Sequence, residues 1–332
     1  MTILVTGAAG FVGYHVCEQL LARGDRVVGI DNMSDYYDLD LKKDRLAQLH
    51  RQDNFSYIKL DFSHFEALRN ALGPLAIKRI IHLGAQANAR HSMTNPFDYI
   101  QSNIVGHLNL LEFCRHEDQL EHFVYSSSGN VYGSNKKQPF SEEDAVENPI
   151  SLYAATKRAD ELMSQSYSHL YRIPQTGLRI FSAYGPWGRP DMTMWRLTRS
   201  ILEGEPITLS GGGEMIRDFT YIDDVATGII AAMDNPPVED GVTEHRPGST
   251  SPHRIYNIAR GIPESIHHVV EILEDAMGRK AEKIIEEAAA TDLPQTHADI
   301  SAIRRDCGYS PKVTIEEGIP KFVNWYRDYY GF

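Results

Sequence analysis

Apolar positions in the first half of the chain alternate between two periods. Residues 2–6 (TILVT) form a continuous apolar run of strand length, and residues 14–23 (YHVCEQLLAR) carry apolar side chains at helical spacing until Gly24. Residues 26–30 (RVVGI) are apolar again and end at Asp31, which completes a β-α-β unit. The alternation continues through FSYIKLD at 55–61, KRIIHLGA at 78–85, HFVYSSS at 122–128 and QTGLRIF at 175–181, separated by helix-length segments such as 104–116 and 154–171. Strands alternating with helices predict an α/β protein with a doubly wound parallel sheet whose ligands bind at the strand C-termini.

After residue 182 the pattern becomes irregular and rich in Gly and Pro (GPWGRP, SGGGE, NPPVEDG, HRPGSTSP), as expected of a smaller C-terminal substrate-binding lobe with long functional loops. Two helical stretches, 265–277 and 316–330, close the chain. The division expected is a dinucleotide-binding domain over 1–181, with a return segment near 215–260, and a lobe over 182–332. Residues 235–253 read as a mobile excursion.

Composition narrows the class. With 332 residues, 42% of them hydrophobic, the chain can bury a large core without metals or disulfides. Cys17, Cys114 and Cys307 are odd in number and far apart, so reduced thiols in a cytoplasmic protein are expected. A net charge of −12 argues against nucleic acid as a partner. No apolar stretch is long enough to span a bilayer, and the start of the chain does not read as a signal peptide. The histidines show neither HxxxH nor HExxH spacing, so no metal is assigned.

Gly7, Gly10 and Gly13 stand between the first strand and helix, with Phe11 and Val12 inside the motif. Small residues there let the backbone approach a pyrophosphate on the helix N-terminus, the signature of a Rossmann-type site. Asp31 ends the next strand about 20 residues later, where a carboxylate accepts both ribose hydroxyls and repels a 2′-phosphate, favouring NAD over NADP. Asn32 adds no positive charge to reverse that preference. Asp61 has two readings, receiving the adenine amino group or capping a helix over 63–72, and Phe62 offers its backbone amide. The Tyr-rich DYYDL near 35–39 reads as packing over the adenosine.

Tyr153 and Lys157 lie one helical turn apart and leave the same helix face. An ammonium beside a phenol favours the phenolate, which makes Tyr153 a candidate general base; a surface Tyr/Lys pair is the bland alternative. The preceding strand ends in Ser126, Ser127 and Ser128, bringing hydroxyls to the edge where a nicotinamide would lie.

TGAAGFVG, Asp31, HLGAQA, YSSSGNVYG, YAATK, RIFSAYGP, RDFTYIDDV and DLPQTHAD, in this order, resemble the extended short-chain dehydrogenase/reductase family over nearly the whole chain. That resemblance implies catalysis by Ser128, Tyr153 and Lys157, with Ser128 on the sugar O4 and Lys157 also on the nicotinamide ribose. It further implies cofactor contacts from Leu83, Ala85, Gln86, Asn103 and Ser126. DNMSDYYDLDLKKDRL at 31–46 and YGPWGRPDM at 184–192 are similar to the UDP-glucuronate 4-epimerases, whose reaction oxidises and re-reduces C4 of a UDP-linked hexuronic acid with tightly bound NAD. Family members are commonly homodimers through two helices of the cofactor domain.

Arg217 and Arg189 match diphosphate or substrate-lobe contacts, as suits a guanidinium; for Arg217 a salt bridge to Asp218 or Asp223 is the structural alternative. Arg90 either neutralises substrate charge or anchors its loop. Ser182 either matches a small residue touching the sugar ring or makes a plain core contact, and Asp292 matches an acid near the nucleotide ribose, although the arginine that accompanies it in galactose epimerases is Ala289 here. Ser127 and Gly129 complete the expected sugar contacts. Related dehydratases and decarboxylases carry acids where this chain has Gly129 and Asn130, so chemistry is expected to stop at the ketone and reverse. The rival readings are an epimerase of another UDP-hexose, a UDP-glucuronate decarboxylase, or a non-catalytic NAD-binding sensor.

Overall fold

The computed structural model describes residues 1–245, 248–287 and 293–332. The apolar runs become β1 (Thr2–Thr6), β2 (Arg26–Asp31), β3 (Phe55–Lys59), β4 (Arg79–His82), β5 (His122–Ser128) and β6 (Gln175–Ile180). Seven further short strands follow among the described residues: β7 (Ser182–Tyr184), β8 (Ile207–Ser210), β9 (Ile216–Arg217), β10 (Phe219–Tyr221), β11 (His253–Ile258), β12 (Glu264–Ser265) and β13 (Lys283–Glu286). A parallel sheet runs β11-β6-β5-β4-β1-β2-β3. Its order reverses at β1 and β4, the switch point where an open α/β sheet forms a ligand crevice.

The sheet is buried on both faces, which is why its strands read as continuous apolar runs rather than alternating ones. Ile3, Val5, Val27, Val124 and Leu178 face one core, while Leu4, Val28, Ile30, Phe123 and Tyr125 face the other. Each fully buried aliphatic side chain of this kind contributes about 1.5–3 kcal/mol. The helix Ile222–Asp234 packs on α1 (Phe11–Ala22).

Several elements differ from their expected spans. β3 and β4 end early because Leu60–Phe62 and Leu83–Gln86 turn off the sheet edge. The helix expected over 104–116 is π-helical at Ile100–Val105 and α-helical at Gly106–Cys114. The helix expected over 154–171 begins at Leu152, with the Ser151 side chain accepting from the Ala154 N–H. An unexpected helix, α2 (Leu39–Leu49), follows the DYYD turn.

The C-terminal part is built from three two-stranded ladders, β7 with β10, β8 with β13 and β9 with β12. In the expected excursion, Asp240 accepts from the Val242 and Thr243 N–H groups, while residues 246–247 lie outside the described residues. Among the described residues no helix is long and apolar enough to cross a membrane, and no group of three potential ligands is placed to hold a metal.

Candidate active site

The turn after β1 is tight because Gly7 adopts φ +68°, and a Cβ there would meet the Gly84 nitrogen at 2.8 Å. A Cβ on Gly13 would lie 2.0 Å from the Gly7 carbonyl oxygen, so helix and turn meet at a distance only glycine permits. Thr6 Oγ1 accepts from the Leu83 and Gly84 N–H groups at 3.1 and 2.9 Å, locking the ends of β1 and β4 together. Over this floor opens a cavity of about 370 Å³. Its bare backbone and its N-terminal helix turn fit the pyrophosphate of a dinucleotide.

Gly7, Gly10, Phe11, Val12, Gly13, Asp31, Asn32, Phe62, Leu83, Ala85, Gln86, Ser126, Tyr153 and Lys157 all line this cavity. Two expected cofactor residues do not. Asp61 turns to the Ser63 N–H at 2.9 Å and the Asn32 amide at 3.1 Å; it also does not cap the next helix, α3 (Phe65–Leu72), whose N-cap is His64. Asn103 is buried behind the wall, where its side chain accepts from Gln86 N–H at 2.9 Å and donates to Gln86 C=O and Thr156 Oγ1, each at 3.0 Å. It positions a lining residue rather than lining the cavity.

Asp31 accepts from Met33 N–H at 2.8 Å, and its carboxylate lies 3.7 Å from Lys42 Nζ. Lys42, on α2, lines the same cavity and sits over the Tyr37 ring. Asn32 supplies no charge, as expected, but Lys42 places a cation beside Asp31. The cation comes from a helix that the sequence reading did not anticipate.

At the other end of the cavity, β5 delivers its three serines. Strand alternation separates them, because successive side chains point to opposite faces. Ser128 Oγ accepts from Asn130 N–H at 3.1 Å and caps the turn Gly129–Tyr132. The Ser127 hydroxyl instead donates to Glu161 at 2.7 Å, where Arg179 also binds through Nε at 2.8 Å and Nη2 at 2.9 Å. Burial would raise the Glu161 carboxyl, but the Arg179 guanidinium and the Ser127 hydroxyl hold it well below the usual carboxylate range. Ser127 lines the cavity as expected, with its hydroxyl engaged by Glu161.

Tyr153 and Lys157 are both buried, on the helix Leu152–Tyr171, and both reach the cavity. Lys157 Nζ donates to Asp160 at 2.9 Å, a partner not expected from sequence. Burial pushes the Asp160 carboxyl upward against the pull of that ammonium.

A second cavity, about 470 Å³, adjoins the first. Asn130, Ser182, Arg189, Met192 and Thr296 line both, and Arg90 and Arg217 line the second. Arg189 donates through Nε and Nη2 to Asp191 at 3.0 and 2.8 Å, and Asp191 also accepts from Tyr36 OH at 3.1 Å and Asn88 Nδ2 at 2.9 Å. Tyr36 therefore ties two loops together besides lining the first cavity. Arg217 donates to Ile216 C=O at 2.9 Å, while Asp218, one of its expected salt-bridge partners, accepts from the backbone N–H groups of Arg260, Gly261 and Ala298. Gly129 lines the first cavity, and Asp292 and Ala289 lie outside the described residues.

Residues 3–259 match the NAD dependent epimerase/dehydratase family. The chain belongs to that family. Within the epimerase/dehydratase family it is 43% identical to UDP-glucuronate 4-epimerase 1 of Arabidopsis thaliana, over 100% of this chain and 78% of the relative. It is 45% identical to an uncharacterized 37.6 kDa protein of Escherichia coli O111:H-, over 99% of each. The crystal structure of UDP-glucuronic acid 4-epimerase from Bacillus cereus in complex with UDP-glucuronic acid and NAD superposes with a TM-score of 0.88 at 33% identity, covering 99% of this chain and 100% of that one.

Proposed function

We propose that the protein catalyses reversible 4-epimerisation of UDP-glucuronate to UDP-galacturonate, with NAD held tightly and regenerated in each turnover. The observation that carries this reading is the convergence of Ser128, Tyr153 and Lys157 on a glycine-floored cavity that opens into an arginine-bearing one. Relatives and a superposable structure that bear the name of this activity support it.

Bound NAD would supply a reversible hydride acceptor for the sugar C4, and return of the hydride to the other sugar face inverts that carbon. The chain's own residues do the rest. Asp31 would accept the adenosine ribose hydroxyls, and Lys157 would hold the nicotinamide ribose. Tyr153 takes the O4 proton, with Ser128 hydrogen-bonding the same oxygen, and gives it back after the ketone has turned over. Arg189 and Arg217 face the diphosphate, and a firm grip there leaves the sugar free to rotate.

Oxidation at C4 makes a β-keto acid, whose carboxylate leaves as carbon dioxide when its bond lies parallel to the carbonyl π orbitals. Holding that carboxylate near the carbonyl plane falls to the Ser128 hydroxyl, the backbone amides at Ser128 and Gly129, and Ser182 across the boundary of the two cavities. Asn130 adds an amide donor without an acidic proton.

A homodimer is part of the proposal. Phe97 is 84% exposed and Leu162 54% exposed, and with Ile100 and Leu108 they leave an apolar face on the segment 96–114 and the helix Leu152–Tyr171. A cytoplasmic setting suits the three free cysteines.

The test is a screen of UDP-sugars. UDP-glucuronate is expected to exceed UDP-glucose in kcat/KM by at least about tenfold. The opposite preference would assign another UDP-hexose.

A further inference from the structure

Arg45, on α2, is fully buried and joins three separate segments. Its Nη1 donates to the Ala9 carbonyl at 2.9 Å, inside the glycine-rich turn, and to Tyr37 OH at 2.7 Å. Its Nη2 donates to the carbonyls of Trp187 and Gly188 at 2.6 and 3.0 Å. None of these acceptors is a carboxylate, and among the described residues no acid pairs with this guanidinium. Burying an unpaired cation is costly. Three carbonyls and a phenol take up its two Nη groups, while its buried Nε makes no hydrogen bond among the described residues.

The loop gripped by Arg45 is itself strained. Trp187 adopts φ +60°, in the left-handed region that a bulky residue rarely occupies. Its ring is wedged against Tyr14 of α1 and against Trp325 and Tyr329 of the C-terminal helix. Two residues on stands Arg189, which lines both cavities.

We propose that Arg45 is a positioning residue that couples the two cavities, holding the 187–189 loop, and with it the Arg189 guanidinium, in register with the glycine-rich turn. It lines neither cavity. Its bond to Ala9 steadies the turn that meets the cofactor pyrophosphate, and its bonds to Trp187 and Gly188 set where Arg189 stands. The proposal rests on the reading of Arg189 as a contact of the substrate diphosphate.

A double-mutant cycle on the holoenzyme tests this with two readouts, UDP affinity by calorimetry and the NAD retained through purification. R45M and R189M are each expected to weaken UDP binding about tenfold, and the double variant to be no weaker than R189M alone, because Arg45 acts on UDP through Arg189. NAD retention is expected to fall in R45M and in the double variant but not in R189M. Additive losses in UDP affinity, or full NAD retention in R45M, would overturn the coupling. Should R45M not fold, R45K serves, since an ammonium cannot span the three segments at once; wild-type UDP affinity in R45K would equally overturn it. Failure of the underlying reading shows separately: a wild type that binds UDP without converting UDP-glucuronate loses the epimerase assignment and leaves the cycle readable, and one that does not bind UDP loses both.

Discussion

In the first cavity the wall is backbone. Gly7, Gly13 and Gly84 touch at distances that no added methyl group could enter, and strand ends in one parallel ladder set where Ser128 and Asp31 stand. In the second cavity the wall is side chains. Arg189 is placed by Asp191, Asp191 by Tyr36 and Asn88, and the surrounding strands are short two-stranded ladders. The contrast follows the work each does. Hydride and proton transfer depend on reacting atoms being held in a near-attack geometry, whereas gripping a nucleotide while its sugar turns over needs loops and long cations.

The largest predicted effect strikes the first cavity's chemistry and spares the second's grip. Tyr153→Phe is expected to lower turnover about 10²–10⁴-fold, with UDP affinity unchanged, because it removes the proton acceptor and little volume. A wild-type rate in that variant would remove Tyr153 as the base.

Next comes the brace behind the backbone wall. Glu161→Gln leaves the Arg179 charge buried and unmatched and is expected to cost about 3–5 kcal/mol at pH 7, read by denaturant unfolding. Because Glu161 is held below its ordinary range in the folded state, its contribution is present above the unfolded carboxylate value and is lost as pH falls through the depressed one. The gap between wild type and variant should therefore narrow on acidification below about pH 4.3. A gap independent of pH would place the loss elsewhere.

The smallest effect lies on the boundary that both cavities share. Ser182→Ala is expected to raise the decarboxylated fraction of product a few-fold, as mass spectrometry of the UDP-sugars would report. An unchanged ratio would remove Ser182 from the carboxylate clamp.

The same contrast governs what the sequence made legible. The order of strands and helices, the glycine turn and the Tyr153/Lys157 spacing are local patterns, and backbone geometry translates them directly into position. Helix α2 was hidden because Lys42 and Arg45 occupy two of its buried positions, so its apolar stripe is broken by cations. The Ser127–Glu161 bond was readable only in part: a period of two turns the Ser127 side chain away from those of Ser126 and Ser128, but the buried acid it meets lies 34 residues on. Asn103 and the Tyr36–Asp191–Asn88 set carry no local signal, since their partners lie across the fold. Lys157 found Asp160 three residues on, a helical neighbour whose burial only the packed structure reveals.

The central claim is that one protein, with its own resident NAD, oxidises and re-reduces C4 of UDP-glucuronate without losing the carboxylate. Proton NMR of UDP-glucuronate incubated with the purified protein and no added cofactor tests it most directly. The account predicts a mixture of UDP-glucuronate and UDP-galacturonate, approached from either sugar, with little UDP-pentose. A predominantly UDP-pentose product, or no conversion by protein shown to retain NAD, would contradict it.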